Sequence, residues 1–130
     1  MIGINSDIAF DIIDRLQEFH AQEGVELPEE VTRQDNDWPQ QILAAHGSNP
    51  IYRETAEAIR GLEPEQQSIL VALMWLGRGD YDVQSWPDAV RDAREARNER
   101  TAEYLLGTPL VATYLEDGLS ELGIPRDGIG

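Results

Sequence analysis

Ile69-Leu70-Val71-Ala72-Leu73-Met74-Trp75-Leu76, followed by the break Gly77-Arg78-Gly79-Asp80, decides the fold of this chain. Eight consecutive apolar residues offer no face to water, so the run belongs at the centre of whatever folds here. Glu63-Pro64 supplies a helix start upstream of it and Gly77 a stop downstream. The stretch therefore reads as a buried central helix. It falls well short of the roughly 20 apolar residues needed to cross a bilayer.

On either side the periodicity is helical, with recognisable punctuation. Ile8, Ile12, Leu16 and Phe19 share one face of a first helix, with Asn5 or Ser6 as cap and Gly24 as stop. Residues 25–37 carry Pro28 and several acids and read as a surface loop. A short helix is expected from Trp38 to His46, then another from Asn49-Pro50 to Arg60, stopped at Gly61. Asp37-Trp38-Pro39-Gln40 and Ser85-Trp86-Pro87-Asp88 repeat one kind of helix start, with Pro in a first turn that lacks no hydrogen bond. The second opens a long helix, Trp86 to Leu106, whose Ala89, Ala93 and Ala96 are small enough to admit a close neighbour. Thr108-Pro109 starts the last helix, with a stripe of Leu110, Val111, Tyr114, Leu115, Leu119 and Leu122. Residues 124–130 are expected to fray. No run alternates long enough to argue a strand. The expectation is an all-α, single compact domain over residues 1–130, with six helices around a buried central one.

Composition bounds the partners. The 130 residues include 25 acids against 10 bases, for a formal net charge of -15, yet 41% are hydrophobic. That apolar share is ordinary for a globular chain, so the acidity does not imply disorder. Every base is Arg; there is no Lys. A net charge of this size repels nucleic acid and anionic membranes and permits basic partners. The absence of Cys removes disulfides and thiol chemistry and fits a cytoplasmic protein. Asp7, Asp11 and Asp14 interrupt the first apolar residues, which excludes a signal peptide reading there.

Three blocks carry a resemblance: Leu73-Met74-Trp75-Leu76-Gly77-Arg78-Gly79-Asp80, Thr101-Ala102-Glu103-Tyr104-Leu105-Leu106-Gly107-Thr108-Pro109-Leu110 and Tyr114-Leu115-Glu116-Asp117-Gly118-Leu119. With Asn49-Pro50 and Leu62-Glu63-Pro64-Glu65-Gln66-Gln67, they span residues 38–123. In these the chain resembles a bacterial family of small acidic proteins, domain of unknown function 3775. The resemblance implies no activity, ligand or catalytic residue.

The chemistry-bearing residues give no reaction. Asp80-Tyr81-Asp82-Val83-Gln84 invites a calcium reading, but the twelve-residue loop would need Gly at Ser85 and Glu at Arg91. His20 and His46, the only two histidines, sit in no H-E-x-x-H helix. Ser48 lacks a nucleophile elbow, and Gly77-x-Gly79 follows a helix, not a strand. No catalytic, cofactor or metal residue is assigned. A surface patch remains: Arg78, Asp80, Trp86, Asn98, Arg100, Thr101 and Tyr104, rich in the residue types that dominate binding. The competing view packs Trp75 and Trp86 in the core and leaves Arg78 to compensate a helix C-terminus. The expected function is therefore non-enzymatic interaction with a basic protein partner, or self-association through the last helix. Nucleic-acid mimicry toward a DNA-binding protein, or a small enzyme of unrecognised type, are the alternatives.

Overall fold

A computed structural model describes residues 4–21 and 49–124. Among them the chain is all-α, with no strand: α1 (Ser6–His20), α2 (Pro50–Arg60), α3 (Pro64–Arg78), a 3-10 turn (Val83–Ser85), α4 (Trp86–Ala96), α5 (Thr101–Gly107) and α6 (Val111–Glu121). The expected loop 25–37, the helix from Trp38 to His46 and the stop at Gly24 lie outside the described residues. None of the described helices is long and apolar enough to cross a membrane.

The central run behaves as its composition demands. Every residue from Ser68 to Leu76 is buried, and α6 and α4 provide most of the cover. Each large side chain so enclosed contributes about 1.5–3 kcal/mol relative to exposure. Upstream, Pro64 occupies the first turn and the Glu63 amide donates to the Gln66 side chain at 3.0 Å. Downstream, the helix continues through the expected stop at Gly77 to Arg78. The stop is Gly79, left-handed at φ 95°, with its amide bonded to Leu76 and that of Asp80 bonded to Trp75.

Gly77 serves a different purpose. A Cβ there would sit 1.8 Å from the Tyr114 carbonyl oxygen, and one on Gly118 would sit 2.4 Å from that of Leu73. The backbones of α3 and α6 touch because neither glycine has a side chain. Val111, Leu115 and Leu119 then close over α3, so the α6 stripe is spent inside the fold. Of the stripe's residues only Leu110 is largely exposed, at 61%.

α1 lies on α2 and α6, and α2 on α5. Asn5 caps α1 by accepting from Asp7 N at 2.7 Å, and Asn49 caps α2 by accepting from Ile51 N and Tyr52 N. Ile12, Ile13, Leu16 and Phe19 of α1 meet Tyr52, Ala56 and Ile59 of α2 in the shared core.

Two expectations are corrected. The single long helix from Trp86 to Leu106 is two helices, because Asn98 and Thr101 turn the chain between them. Thr101 Oγ1 accepts from Asn98 N at 3.1 Å and donates to Asn98 O at 3.0 Å, while Asn98 Oδ1 accepts from Arg100 N at 2.7 Å. These local bonds compete with helix continuation. The last helix starts at Val111 instead of Pro109: Thr108 Oγ1 donates back to Tyr104 O at 2.7 Å, and Leu110 takes a left-handed φ of 63°. Ile124, the first residue of the expected frayed tail, is held by a 2.8 Å bond from its amide to Leu119 O.

Candidate functional site

The C-terminal turn of α3 gathers the site. Trp75 is 1% exposed, and its indole Nε1 donates to the Tyr104 hydroxyl of α5 at 3.1 Å. Tyr81, held just after the Gly79 turn, stacks on Trp75 with centroids 5.7 Å apart and planes 20° from parallel. Its hydroxyl donates to Asp92 Oδ2 of α4 at 2.5 Å. The relay Tyr104–Trp75–Tyr81–Asp92 thus joins α5, α3 and α4 at one end of the molecule. Beside it, Arg78 Nε and Nη2 both bond Asp80 Oδ2 at 2.8 Å. Burial works to lower the Arg78 pKa, but the bond to Asp80 and the nearby Tyr104 hydroxyl outweigh it and hold it above the ordinary value.

A groove of about 290 Å³ opens between α3 and α4, lined by Trp75, Asp92, Glu95 and Ala96. Ala96 closes α4 and is exposed, whereas Ala89 and Ala93 are fully buried against the core. Arg94, the base in the last turn of α4, is turned away: its Nε bonds Glu65 Oε1 at 2.8 Å and its Nη2 bonds Glu65 Oε2. That fork ties the start of α3 to α4 and holds the Glu65 carboxyl below its usual pKa.

Of the seven residues of the expected patch, Arg78, Asp80 and Tyr104 come together around Trp75. Trp86 begins α4, half-buried against the core. Asn98 and Arg100 lie in the break before α5, not on one helix with Tyr104, and Thr101 is the first residue of α5. Thr101 is 5% exposed. Sequence reasoning passed over Tyr81, Asp92 and Glu95. The signal was weak, because Tyr81 stood inside a segment weighed only for calcium. There Asp82 is used locally: its Oδ1 accepts from Ser85 N and Ser85 Oγ, both at 2.9 Å. Among the described residues no three His, Cys, Asp or Glu side chains converge as a metal site would require.

A second feature lies on α1. Asp7, Asp11, Asp14 and Glu18 recur at i, i+4, i+7 and i+11, and all four are exposed. On a helix this spacing makes a single ridge, about 16 Å long at 1.5 Å per residue. Arg15 Nε bonds Asp11 at 2.9 Å beside it. The spacing is legible in the sequence itself.

Between α2 and α5, Arg60 Nη2 bonds Glu103 Oε1, while Glu103 Oε2 and the buried Tyr52 and Thr55 hydroxyls accept or donate no bond. Burial, and then the Glu103 charge, push the Tyr52 phenol pKa up. His20 Nε2 donates to Leu106 O at 2.8 Å, which fixes the end of α1 to α5; His46 lies outside the described residues. No nucleophile stands beside a base in this set.

No curated protein and no solved structure matches the chain significantly. The family described as "Protein of unknown function (DUF3775)" does, over residues 52–124, which begins at the buried Tyr52 and takes in α3, the Trp75 relay and the Gly77–Gly118 contact. By that match over more than half of its length, the chain belongs to the DUF3775 family.

Proposed function

We propose that this protein is a non-enzymatic interaction module whose acidic surface docks a basic protein partner. The observation that carries this reading is the α1 ridge of Asp7, Asp11, Asp14 and Glu18, set in a chain of net charge -15. Arg15, Arg60, Arg78, Arg91 and Arg94, half of the ten arginines, are each engaged by a carboxylate of the same molecule. The excess acids are left to face outward. Such a field accelerates encounter with a basic surface and repels anionic ones.

Nucleic-acid mimicry is a narrower form of the same idea, and charge density weighs against it. The ridge carries one carboxylate per about 5.5 Å of helix axis, whereas one DNA strand carries a phosphate per about 3.4 Å. Arg15 dilutes it further.

The test is affinity purification from the native host with wild-type bait and with a ridge variant, Asp7→Asn, Asp11→Asn, Asp14→Asn and Glu18→Gln combined. A basic protein recovered with the wild type and lost from the variant is the expected result. Equal recovery on both baits, or none on either with the protein monomeric in light scattering, overturns it. If the partner binds DNA and releases it on adding this protein, mimicry replaces general docking.

A further inference from the structure

We infer that the seam between α2 and α5 binds one internal water molecule, held by the Tyr52 hydroxyl, the Thr55 hydroxyl and the Glu103 carboxylate. This site is separate from the acidic ridge and does not depend on the docking reading.

Tyr52 Oη, Thr55 Oγ1 and Glu103 Oε2 are the three buried side-chain atoms without a hydrogen-bond partner among the described residues. Their residues are all more than nine-tenths enclosed, so bulk solvent does not reach them. Each such group left unpaired shifts the folding equilibrium by about five-fold or more toward the unfolded chain. Scattered orphans would mean little; these fall at one seam. Tyr52 and Thr55 lie one turn apart on the buried stripe of α2, and α2 packs on α5, which carries Glu103. After burial itself, the Glu103 charge is what raises the Tyr52 phenol pKa, so the two groups are neighbours. Yet no bond joins them. Polar groups that face each other beyond direct hydrogen-bond length are the setting of a bridging water.

Donor count selects the occupant. A carboxylate oxygen only accepts, and each hydroxyl has one proton to give. The occupant must therefore donate to Glu103 Oε2 and accept from Tyr52 and Thr55. Water does this with three hydrogen bonds, the usual number for an internal water. Charge excludes the alternatives. Arg60 already pairs with Glu103 through Oε1, so a metal ion or ammonium would add an uncompensated buried charge.

The experiment joins ¹⁷O relaxation dispersion of the full chain to a double-mutant cycle on Tyr52→Phe and Thr55→Val. Oxygen relaxation reports long-lived internal water without interference from exchanging hydroxyl protons. Each substitution keeps the side-chain shape and removes one hydroxyl. The dispersion amplitude should fall by about one water molecule from wild type to the double variant. Each single variant should lower the folding equilibrium constant by about five-fold, the worth of one hydrogen bond. The double variant should lose less than the product of the two, because both hydroxyls hold the same water. Equal amplitudes in wild type and double variant overturn the inference, whatever the stabilities. Strictly additive losses overturn it too, as does a gain in stability on removing either hydroxyl, the result expected of groups left unpaired. Should the double variant fail to fold, the amplitude of Tyr52→Phe against wild type decides in the same way.

Discussion

Gly77 of α3 and Gly118 of α6 meet backbone to backbone: a Cβ on Gly77 would lie 2.9 Å from the Gly118 nitrogen and 1.8 Å from the Tyr114 carbonyl oxygen. The neighbours that would have to move are main-chain atoms of a packed helix, not the ends of flexible side chains. Gly77→Ala and Gly118→Ala should each destabilise by about 3 kcal/mol, the upper end of overpacking costs. In the double variant the loss should be less than additive, because the first methyl already separates the helices. Denaturant unfolding of the three proteins measures both quantities.

Gly79, two residues on, provides the control. Nothing lies within 4 Å of its missing Cβ, but its φ is 95°. Gly79→Ala should cost about 1–2 kcal/mol from backbone strain alone, and Gly79→Asn less, since Asn tolerates the left-handed region. A larger loss at Gly79 than at Gly77 would contradict this division of roles between two glycines two residues apart.

This pair also shows how far the amino-acid order could be read. The burial of Ile69–Leu76 followed from composition alone, since a run without a polar face has only one place to go. That Gly77 serves contact and Gly79 the stop could not follow, because the reason for Gly77 is Tyr114, 37 residues away in the chain and adjacent only after folding. The division of the long helix at Asn98 is intermediate. Asn98 and Thr101 are residue types that bond their own backbone, yet neither Gly nor Pro interrupts the chain between Pro87 and Gly107 to mark a break. The site divides the same way. Arg78 and Asp80 are close in sequence, so their pairing is a local matter; Tyr81, Asp92 and Glu95 come near Trp75 only through the packing of α4 on α3.

The Trp75 indole has Tyr104 as hydrogen-bond acceptor. Tyr104→Phe keeps the ring and removes the oxygen, leaving a buried N–H without that partner at a cost of about 1–3 kcal/mol. Loss of the Tyr104 hydroxyl also takes one neighbour from Arg78, whose pKa it helps to raise. The indole N–H resonance should move and its exchange with solvent quicken. An unchanged resonance with unchanged stability would mean that the bond contributes nothing.

His20 makes stability depend on pH. Burial lowers its pKa below the ordinary 6.5, and the bond to the Leu106 carbonyl recovers only part of the shift. Below about pH 6.5 the unfolded chain therefore takes up the proton before the folded one does, and stability falls with falling pH until the folded form is protonated too. Above that window both states are neutral and the effect vanishes. His20→Gln, which keeps an N–H donor and does not titrate, should flatten this part of the stability curve relative to wild type. Chemical denaturation of both proteins from pH 7.5 to 5 reads the difference, in which the titration of the many carboxylates cancels. Parallel curves would remove His20 as the cause.

Arg60 and Glu103 form an unequal pair: the Glu103 side chain is 6% exposed and that of Arg60 47%. Glu103 Oε2 has no protein donor, so the contact to Oε1 is what compensates the burial of this carboxylate. Removing the cation is thus worse than removing both groups. Arg60→Met should cost about 2 kcal/mol, below the 3–5 kcal/mol of a fully enclosed pair because water reaches the guanidinium. Arg60→Met with Glu103→Leu should recover most of that loss, since two apolar groups leave no charge to solvate. The cycle also reports on Tyr52, whose phenol is pushed up partly by the Glu103 charge. With Leu at position 103 that contribution disappears, and the Tyr52 titration should move down toward its ordinary value while burial still holds it above. Ultraviolet titration of the tyrosines in the single and double variants follows that movement. A double variant no more stable than Arg60→Met would show instead that the space around Tyr52, Thr55 and position 103 requires a polar group.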